Sequence, residues 1–388
     1  MLDSKHLHTA VQVGAGLALN VFPAIFIAIY ARIAPIDTQG FLALALVVGV
    51  YVAQLFNAFV VEGRLATPDA EGDLGLPLWV VLLTIASGAL LVIGPAVATT
   101  AALMTSSVGV MTGLLMARSI GVVSGAWKRE GLGAAVLIVA SAIALWMSVQ
   151  HNPQCVRVLA VGAVLAVLVR YRPGRALPRM GFPPDVRRSS WVTAETAVVG
   201  VVQPAITSLL LVMVGPAASV TFRVISTVAG AVEPILAYGR YRLLAHGHRG
   251  ELAPFTVVFV AAMVAVLIAA FGGLGSLIFG PAWRDVGVAA LLLACLWKGF
   301  MLLSTVPFAA LRKAGKTVPV FWIRGASTVI YLMISVGFLL VWHAPAAIFL
   351  SFVVAEMITA LIYHRAAVKD ASDYAAAFGL RQLRERLS

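Results

Sequence analysis

The stretch YRPGRALPRMGFPPDVRRSS, residues 171–190, decides how the rest of the chain is interpreted. It carries four prolines and five arginines against a single acidic residue, Asp185, and it shows no apolar periodicity. Prolines and charges at this density are typical of a solvated connection between folded segments. Long apolar stretches lie on both sides, so the segment divides the chain into two halves.

The composition around that segment is typical of a membrane protein. Of the 388 residues, 61% are apolar and only 11% are charged, whereas soluble domains carry about 25% charged residues. This composition excludes a soluble enzyme, a disordered chain and a secreted disulfide scaffold. The two cysteines, Cys155 and Cys295, lie far apart and indicate neither a disulfide framework nor a metal-binding motif.

Twelve stretches are apolar over roughly the 20 residues that a helix needs to cross a bilayer. They lie at about 9–33, 38–61, 75–93, 97–122, 131–149, 155–171, 191–214, 217–240, 253–279, 285–309, 318–341 and 345–366. Six prolines give an independent check, because each falls between two successive spans and cannot continue a helix. These prolines are Pro35, Pro95, Pro153, Pro216, Pro281 and Pro345. The pattern predicts an all-α polytopic membrane protein built from six helical hairpins.

The formal net charge of +12 is distributed by side of the membrane. Lys and Arg crowd the connections opposite the proline turns, and such an excess marks the cytoplasmic side. Both termini are therefore predicted to be cytoplasmic, and nucleic acid is not expected as a partner. The spans then form a six-helix lobe over 1–171, a basic cytoplasmic linker over 172–190, a second six-helix lobe over 191–367 and a cytoplasmic tail over 368–388.

The first span of each half carries an amide followed by a proline. Asn20 precedes Pro23, and Gln203 precedes Pro204. A proline inside a span frees a backbone carbonyl and bends the helix, which is tolerated where protein or water lines the bend. We expect both helices to bend and Gln203 to lie on a polar path between the halves. Three further amides are predicted to line the other wall of that path: Asn20, Gln54 and Asn57.

Seven ionisable side chains fall inside the predicted spans, where lipid makes a charge costly and a cavity or a partner is the usual environment. They are Arg118, Glu195, Arg223, Glu233, Lys298, Arg324 and Glu356. Arg118 and Arg324 lie within reach of the inner headgroups, so either can place its charge there. Lys298 and Glu356 lie near the midplane, where they form either a buried ion pair or part of a cavity.

Glu195 and Glu233 leave two interpretations open, a shared-proton or cation site and a simple link within one hairpin. No nucleotide-binding motif accompanies them, because Gly315-Lys316-Thr317 lacks the first glycine of a P-loop and follows no strand. The sequence predicts no metal site and no cofactor. Two energy sources for transport stay open, a coupling cation and the membrane potential.

Two stretches resemble a known family, the multidrug/oligosaccharidyl-lipid/polysaccharide (MOP) exporter superfamily. Residues 274–321, LGSLIFGPAWRDVGVAALLLACLWKGFMLLSTVPFAALRKAGKTVPVF, are similar to its polysaccharide branch, the Wzx-type flippases of lipid-linked oligosaccharides. Residues 28–45, AIYARIAPIDTQGFLALA, are similar to the first hairpin of that branch. The layout of two six-helix halves joined by a basic linker matches the superfamily over nearly the whole chain.

The resemblance implies a flippase of a bacterial inner membrane rather than an enzyme. It implies a central cavity with a cationic lining, which carries a polyprenyl-(pyro)phosphate-linked saccharide between the leaflets by alternating access. By their place in the layout, four residues become the candidates for phosphate contacts: Arg32, Arg118, Arg223 and Lys298. The partners implied are the lipid bilayer, the glycan substrate and other proteins of cell-envelope glycan biosynthesis.

Three other functions remain open at this point. The first is a cation-coupled multidrug exporter of the same fold that relies on Glu195, Glu233 or Glu356, although the first span lacks the acidic residue that the drug-exporting branch often uses. The second is a polyprenyl-phosphate-sugar glycosyltransferase, for which the short outer turns offer few acidic residues. The third is a membrane scaffold that transports nothing.

Overall fold

The computed structural model describes residues 4–65, 75–93, 100–171, 185–236, 243, 252–372 and 374. Every regular element in these residues is helical, which confirms the predicted all-α class. The elements up to the middle of the chain are α1 (Ser4–Ile33), α2 (Ile36–Asn57), α3 (Leu78–Ile93), α4 (Thr100–Val123), α5 (Trp127–Val149) and α6 (Cys155–Arg170). A π-helical turn (Ala58–Glu62) and a short helix (Gly63–Leu65) extend α2.

The second half is divided into more pieces than the first. Its elements are α7 (Val186–Gly200), α8 (Val202–Met213), α9 (Pro216–Gly230), α10 (Leu252–Ala269), α11 (Gly275–Phe279), α12 (Val288–Lys313), α13 (Thr317–Trp342) and α14 (Pro345–Asp370). A π-helical turn (Ala270–Leu274) joins α10 to α11, and a 3₁₀ turn (Gly280–Trp283) follows α11.

Nine helical segments in the described part of the chain are long and apolar enough to cross a membrane. The chain is therefore a multi-pass membrane protein. The third, sixth and eighth predicted spans correspond to α3, α6 and α9, which have 16, 16 and 15 residues. At 1.5 Å per residue these helices are shorter than the hydrocarbon core of about 30 Å.

The proline turns lie where the sequence predicts them. Pro35 directly precedes α2, and Pro216 and Pro345 begin α9 and α14. Pro153 lies in the turn before α6, and Pro281 lies in the 3₁₀ turn after α11. Pro95 is outside the described residues. Proline suits the first turn of a helix, because the N–H that it lacks has no partner there.

Two prolines inside the second half break their helices four residues upstream. The predicted bend of the seventh span is a break between Gly200 and α8, because the ring of Pro204 clashes with the carbonyl of residue 200. The eighth predicted span, at about 217–240, is interrupted within its described residues. Helix α9 ends at Gly230, four residues before Pro234, and a new helical turn spans 233–236. In the first span, by contrast, α1 continues through Pro23.

The ninth predicted span is also interrupted. Gly273 has a φ of 98° within the π-helical turn between α10 and α11. Only glycine adopts that backbone conformation without strain, so the interruption depends on this residue. The apolar pattern predicts one helix over this stretch, because the pair Gly272 and Gly273 hardly changes its mean hydropathy.

The chain folds as two compact units. The first unit contains 1–224 and 276–284, and the second contains 225–275 and 285–388. The lobes predicted at 1–171 and 191–367 stay a prediction. Residues 172–184 of the predicted linker and the tail beyond Tyr374 are outside the described residues. Helix α7 begins at Val186, so the last residues of the predicted linker are helical.

Close contacts between helices in the first unit depend on small residues. A Cβ atom placed at Gly113 of α4 would overlap the side chain of Thr84 on α3. A Cβ at Gly49 of α2 would lie 2.8 Å from the backbone of Ser107 on α4. Small residues let helices approach closely in a membrane, where hydrophobic association is weak. This packing fixes the helix ends that carry the charged groups described next.

Candidate functional site

The buried charges gather in two clusters, one within each unit. The first cluster consists of Arg118, Glu130 and Arg170. The second consists of the buried Lys298 and Glu356 and of Glu233, whose side chain is 51% exposed, with the side chains of Trp297, Ser304 and Tyr331. We describe each cluster by itself.

The first cluster is built on the hairpin of α5 and α6. Glu130 lies in the first turn of α5, and Arg170 is the last residue of α6. The Nε atom of Arg170 lies 3.2 Å from Oε1 of Glu130, and each side chain is only 1% exposed. An ion pair removed from water to this extent is costly unless both partners are present, so the two residues depend on each other.

Two glycines make room for this ion pair. A Cβ atom at Gly121 of α4 would lie 2.8 Å from Cδ of Glu130, and one at Gly133 of α5 would lie 2.8 Å from Cζ of Arg170. Either methyl group would displace a charged side chain that has no space to move. The glycines therefore belong to the cluster as much as the charges do.

Arg118 adds a second positive charge to the cluster. It is half-buried on α4, and its charge acts on both Glu130 and Arg170. Its guanidinium packs against α1, where a Cβ at Gly16 would lie 2.5 Å from Nη2. The cluster thus brings two guanidinium groups close to one carboxylate.

The second cluster is built around Lys298 of α12. This lysine is 2% exposed. Its Nζ atom donates to Oε1 of Glu233 at 2.5 Å and lies 3.8 Å from the ring centroid of Trp297. Carboxylate contact and a cation–π contact both stabilise an ammonium group away from water. Glu233 begins the helical turn after the break at Gly230, so the proline break places this carboxylate.

Glu356 of α14 lies in the same cluster and is 5% exposed. It accepts hydrogen bonds from the hydroxyl groups of Ser304 and Tyr331. The Nε1 atom of Trp297 donates to the Tyr331 hydroxyl at 2.9 Å. The charge of Lys298 also acts on Glu356. One ammonium group thus acts on two carboxylates. It contacts that of Glu233 directly and affects that of Glu356 through its charge.

This arrangement differs from the predicted pair of Lys298 and Glu356. The direct ion pair is formed with Glu233, while Glu356 is held by hydroxyl groups and feels Lys298 from further away. Glu195 lies half-buried on α7 in the first unit, whereas Glu233 belongs to the second. A shared site of Glu195 and Glu233 stays a prediction.

Arg32 is engaged by backbone carbonyl groups. Its guanidinium donates to the carbonyl of Ala28 at 2.7 Å and to those of Ile278 and Leu277 at 2.9 and 3.0 Å. Leu277 and Ile278 lie in α11, whose last carbonyls have no partner within the helix. Arg32 therefore caps α11 from α1, and its predicted contact with a phosphate is untested.

Two other arginines lie inside the predicted spans, Arg223 and Arg324. Arg223 is half-buried on α9. The guanidinium of Arg324 lies 4.5 Å from the ring centroid of Phe308, both in the second unit. A phosphate contact of Arg223 stays a prediction.

The predicted amides lie in different environments. Asn20 and Gln54 are exposed, whereas Asn57 is buried and donates to Oε1 of Glu62 at 3.1 Å. Gln203 is half-buried near the start of α8, and its Oε1 atom is inaccessible and accepts no hydrogen bond. A common polar path lined by these four amides stays a prediction.

Glu130, Arg170 and the hydroxyl groups around Glu356 are not among the site residues that the sequence predicts. A usable signal was present, because Glu130 and Arg170 lie at similar chain distances from the turn at 150–154, which places them together in an antiparallel hairpin. In the second cluster, Trp297 adjoins Lys298, and Tyr331 is a mid-span aromatic residue with a polar atom.

Among the residues that the structure describes, no group of three His, Cys, Asp or Glu side chains is arranged to hold a metal ion. The two clusters consist of arginine, lysine, carboxylate and hydroxyl groups. Such groups can bind ions, bind protons and form hydrogen bonds.

No protein-family profile matches the chain, and no curated protein matches it. Several solved structures are similar to it. An outward-facing multidrug resistance MATE family transporter of the MOP superfamily is 10% identical, with a TM-score of 0.49 over 100% of this chain and 98% of that chain. A MATE structure in complex with MaD5 is 14% identical, with a TM-score of 0.47 over 98% and 95% of the two chains.

A MOP superfamily transporter from Pyrococcus furiosus is 14% identical, with a TM-score of 0.43 over 98% of this chain and 93% of that chain. These similar structures are all transporters.

Proposed function

We propose that the protein is a membrane exporter that moves a polyprenyl-(pyro)phosphate-linked saccharide from the inner to the outer leaflet of a bacterial plasma membrane. The observation that carries this proposal is the position of Arg118, which lies half-buried beside the buried ion pair of Glu130 and Arg170. A phosphate group in a site of low dielectric constant needs a cation, and a guanidinium can bind it with two hydrogen bonds.

Arg118 is the residue of that cluster best suited to meet a phosphate. Glu130 and Arg170 pair with each other and are almost fully buried, whereas Arg118 is half-buried. It packs beside Gly16 of α1, and Asn20 lies one helical turn further along the same face and is exposed. An arginine and an amide in this arrangement would bind a phosphate and an adjoining sugar hydroxyl.

The proposal predicts that Arg118→Ala lowers export while the protein remains in the membrane. In a strain depleted of the native protein, the variant would let the lipid-linked precursor accumulate on the inner leaflet, and Arg118→Lys would restore part of the transport. Lipid extraction with leaflet-specific labelling measures the precursor. A loss of about tenfold in rate corresponds to one charge-assisted hydrogen bond of about 1.5 kcal/mol.

Arg157→Ala is the matched control, because Arg157 is an exposed arginine of α6 that donates to the carbonyl of Val92. It should transport at the native rate. If Arg118→Ala is present in normal amounts and clears the precursor as fast as the native protein, the proposed phosphate contact is wrong.

A second candidate function is supported by the second cluster. Two carboxylates that share one ammonium group can take up a proton or a cation, which is what a cation-coupled exporter of small molecules requires. In inverted vesicles with an imposed ion gradient, Glu233→Gln and Glu356→Gln should abolish gradient-driven dye uptake. Uptake that survives in these variants and in Glu195→Gln would exclude this candidate.

A further inference from the structure

A cavity of about 420 Å³ lies within the second unit between α10, α12 and α14, and none of its lining residues belongs to either charged cluster. Its volume is within the range of about 300–1,000 Å³ that is typical of small-molecule sites. Five of its eight lining residues are aliphatic: Leu302, Leu303, Val306, Ala360 and Leu361. Leu303 and Leu361 are 55% and 61% exposed, so this wall continues onto the surface that faces the membrane.

The cavity lies towards one end of the three helices. Thr256, which contributes to its wall, is in the second turn of α10, whereas the lining residues of α12 and α14 are in the second halves of those helices. An ion pair of 3.7 Å joins Lys316, in the turn after α12, to Asp370 at the end of α14. By the distribution of positive charge this end is the predicted cytoplasmic one.

A polar pair closes the cavity at that end. His364 and Tyr374 both line it, and Nδ1 of His364 lies 2.8 Å from the hydroxyl oxygen of Tyr374. Tyr374 is 4% exposed, and burial raises the pKa of its phenol to about 12. The phenol therefore keeps its proton at neutral pH. An apolar chamber with one polar end matches a hydrocarbon chain that ends near a headgroup.

The surroundings of that end are positively charged. Five basic residues against one acidic residue, Asp370, occupy the described ends of α12 and α14 and the start of α13. The basic residues are Arg312, Lys313, Lys316, Arg365 and Lys369. Arg365 is exposed and lies one helical turn beyond Leu361 of the cavity wall. Anionic lipids of the cytoplasmic leaflet are attracted to basic groups in this position.

We propose that this cavity binds an anionic phospholipid of the inner leaflet, with an acyl chain between α10, α12 and α14 and the headgroup phosphate beside Arg365. The inference is independent of the transported substrate. It predicts a lipid that stays with the protein and stabilises the second unit at its cytoplasmic end.

The test uses the full-length protein, purified in detergent and stripped of lipid. Phosphatidylglycerol or phosphatidylcholine with the same acyl chains is added, and lipid retention is measured by native mass spectrometry and by thermal unfolding. The native protein should retain phosphatidylglycerol in preference to phosphatidylcholine. Leu361→Trp should fill the cavity and abolish retention of both lipids, while Leu340→Trp, at a leucine of α13 that is 58% exposed, should behave as native.

Arg365→Gln separates the headgroup contact from the chain contact. It should lower the affinity for phosphatidylglycerol by about fivefold, the effect of one basic residue near an anionic lipid surface, and leave that for phosphatidylcholine unchanged. Equal retention of the two phospholipids by the native protein would overturn the proposal, as would native retention in Leu361→Trp. Displacement of phosphatidylglycerol by farnesyl phosphate at equal concentration would also overturn it, because the occupant would then be an isoprenoid.

Discussion

At the scale of single residues, the embedded charges are held by partners that come from other helices. Lys298 has Glu233, and Glu130 has Arg170. Removing water from a charge costs several kcal/mol, so the buried Lys298, Glu130 and Arg170 are tolerated because a partner is fixed nearby, whereas the side chain of Glu233 is 51% exposed. The sequence indicates that Lys298 needs a partner, but the choice between Glu233 and Glu356 depends on where the break after Gly230 turns the chain.

The buried pair of the first cluster gives a prediction at this scale. Glu130→Ala should destabilise the protein by about 3–5 kcal/mol, because it leaves Arg170 buried without its carboxylate. Thermal unfolding in detergent measures the loss. The double variant Glu130→Leu with Arg170→Met should recover most of it, since an apolar pair of similar volume removes both charges. A single variant as stable as the native protein would show that the pair does not hold this hairpin.

At the scale of the elements, prolines and glycines decide where the helices stop. Pro204 and Pro234 each end a helix four residues upstream, and Gly273 interrupts a span that hydropathy alone presents as continuous. After α11, Gly280 has a φ of 54°. A Cβ atom there would lie 2.8 Å from Nη2 of Arg32, the residue that caps α11.

Gly280→Ala should therefore be destabilising, for two reasons that add. The left-handed conformation costs a residue with a Cβ about 1–2 kcal/mol, and the methyl group displaces the guanidinium of Arg32. Gly272→Ala is the control, since nothing lies within 4 Å of a Cβ there and its φ is not left-handed. Unfolding temperatures of the two variants measure the difference. If both shift equally, the turn at Gly280 is not strained by a side chain.

At the scale of the whole molecule, the predicted orientation in the membrane can be tested with cysteine labelling. Cys155 and Cys295 are 0% and 5% exposed, so the native protein should not react with a membrane-impermeant maleimide. Gln154→Cys, in the exposed turn before α6, should be labelled in cells with a permeable outer layer. Lys316→Cys should be labelled only after the inner membrane is opened. The reverse pattern would place the termini outside.

Much of the fold follows from local sequence. Hydropathy fixes which stretches are helical, and prolines at Pro35, Pro216 and Pro345 mark helix starts that the structure has at the same positions. These features depend on a residue and its near neighbours in the chain. The short helix α9 and the interrupted ninth span are missed, because a hydropathy window averages over the break.

The candidate site is predictable only in part. The embedded position of Lys298 and Glu356 is visible in the sequence, because charges are rare in apolar spans. Their partners Trp297, Ser304 and Tyr331 are ordinary residues of membrane helices until packing brings them together. Glu130 is not predictable as a site residue from the sequence. It follows Lys128 and Arg129, so its charge looks like one of a solvated loop.

The sequence by itself determined that the chain is helical, that it lies in a membrane and where most helices start and stop. The physical reason is that lipid imposes these properties on every segment separately, through backbone hydrogen bonding and hydropathy. Only the tertiary structure decided which charged side chains meet. Pairing joins residues such as Glu130 with Arg170 and Glu233 with Lys298, which are far apart in the chain, so it is set by the packing of helices and by the glycines that make room.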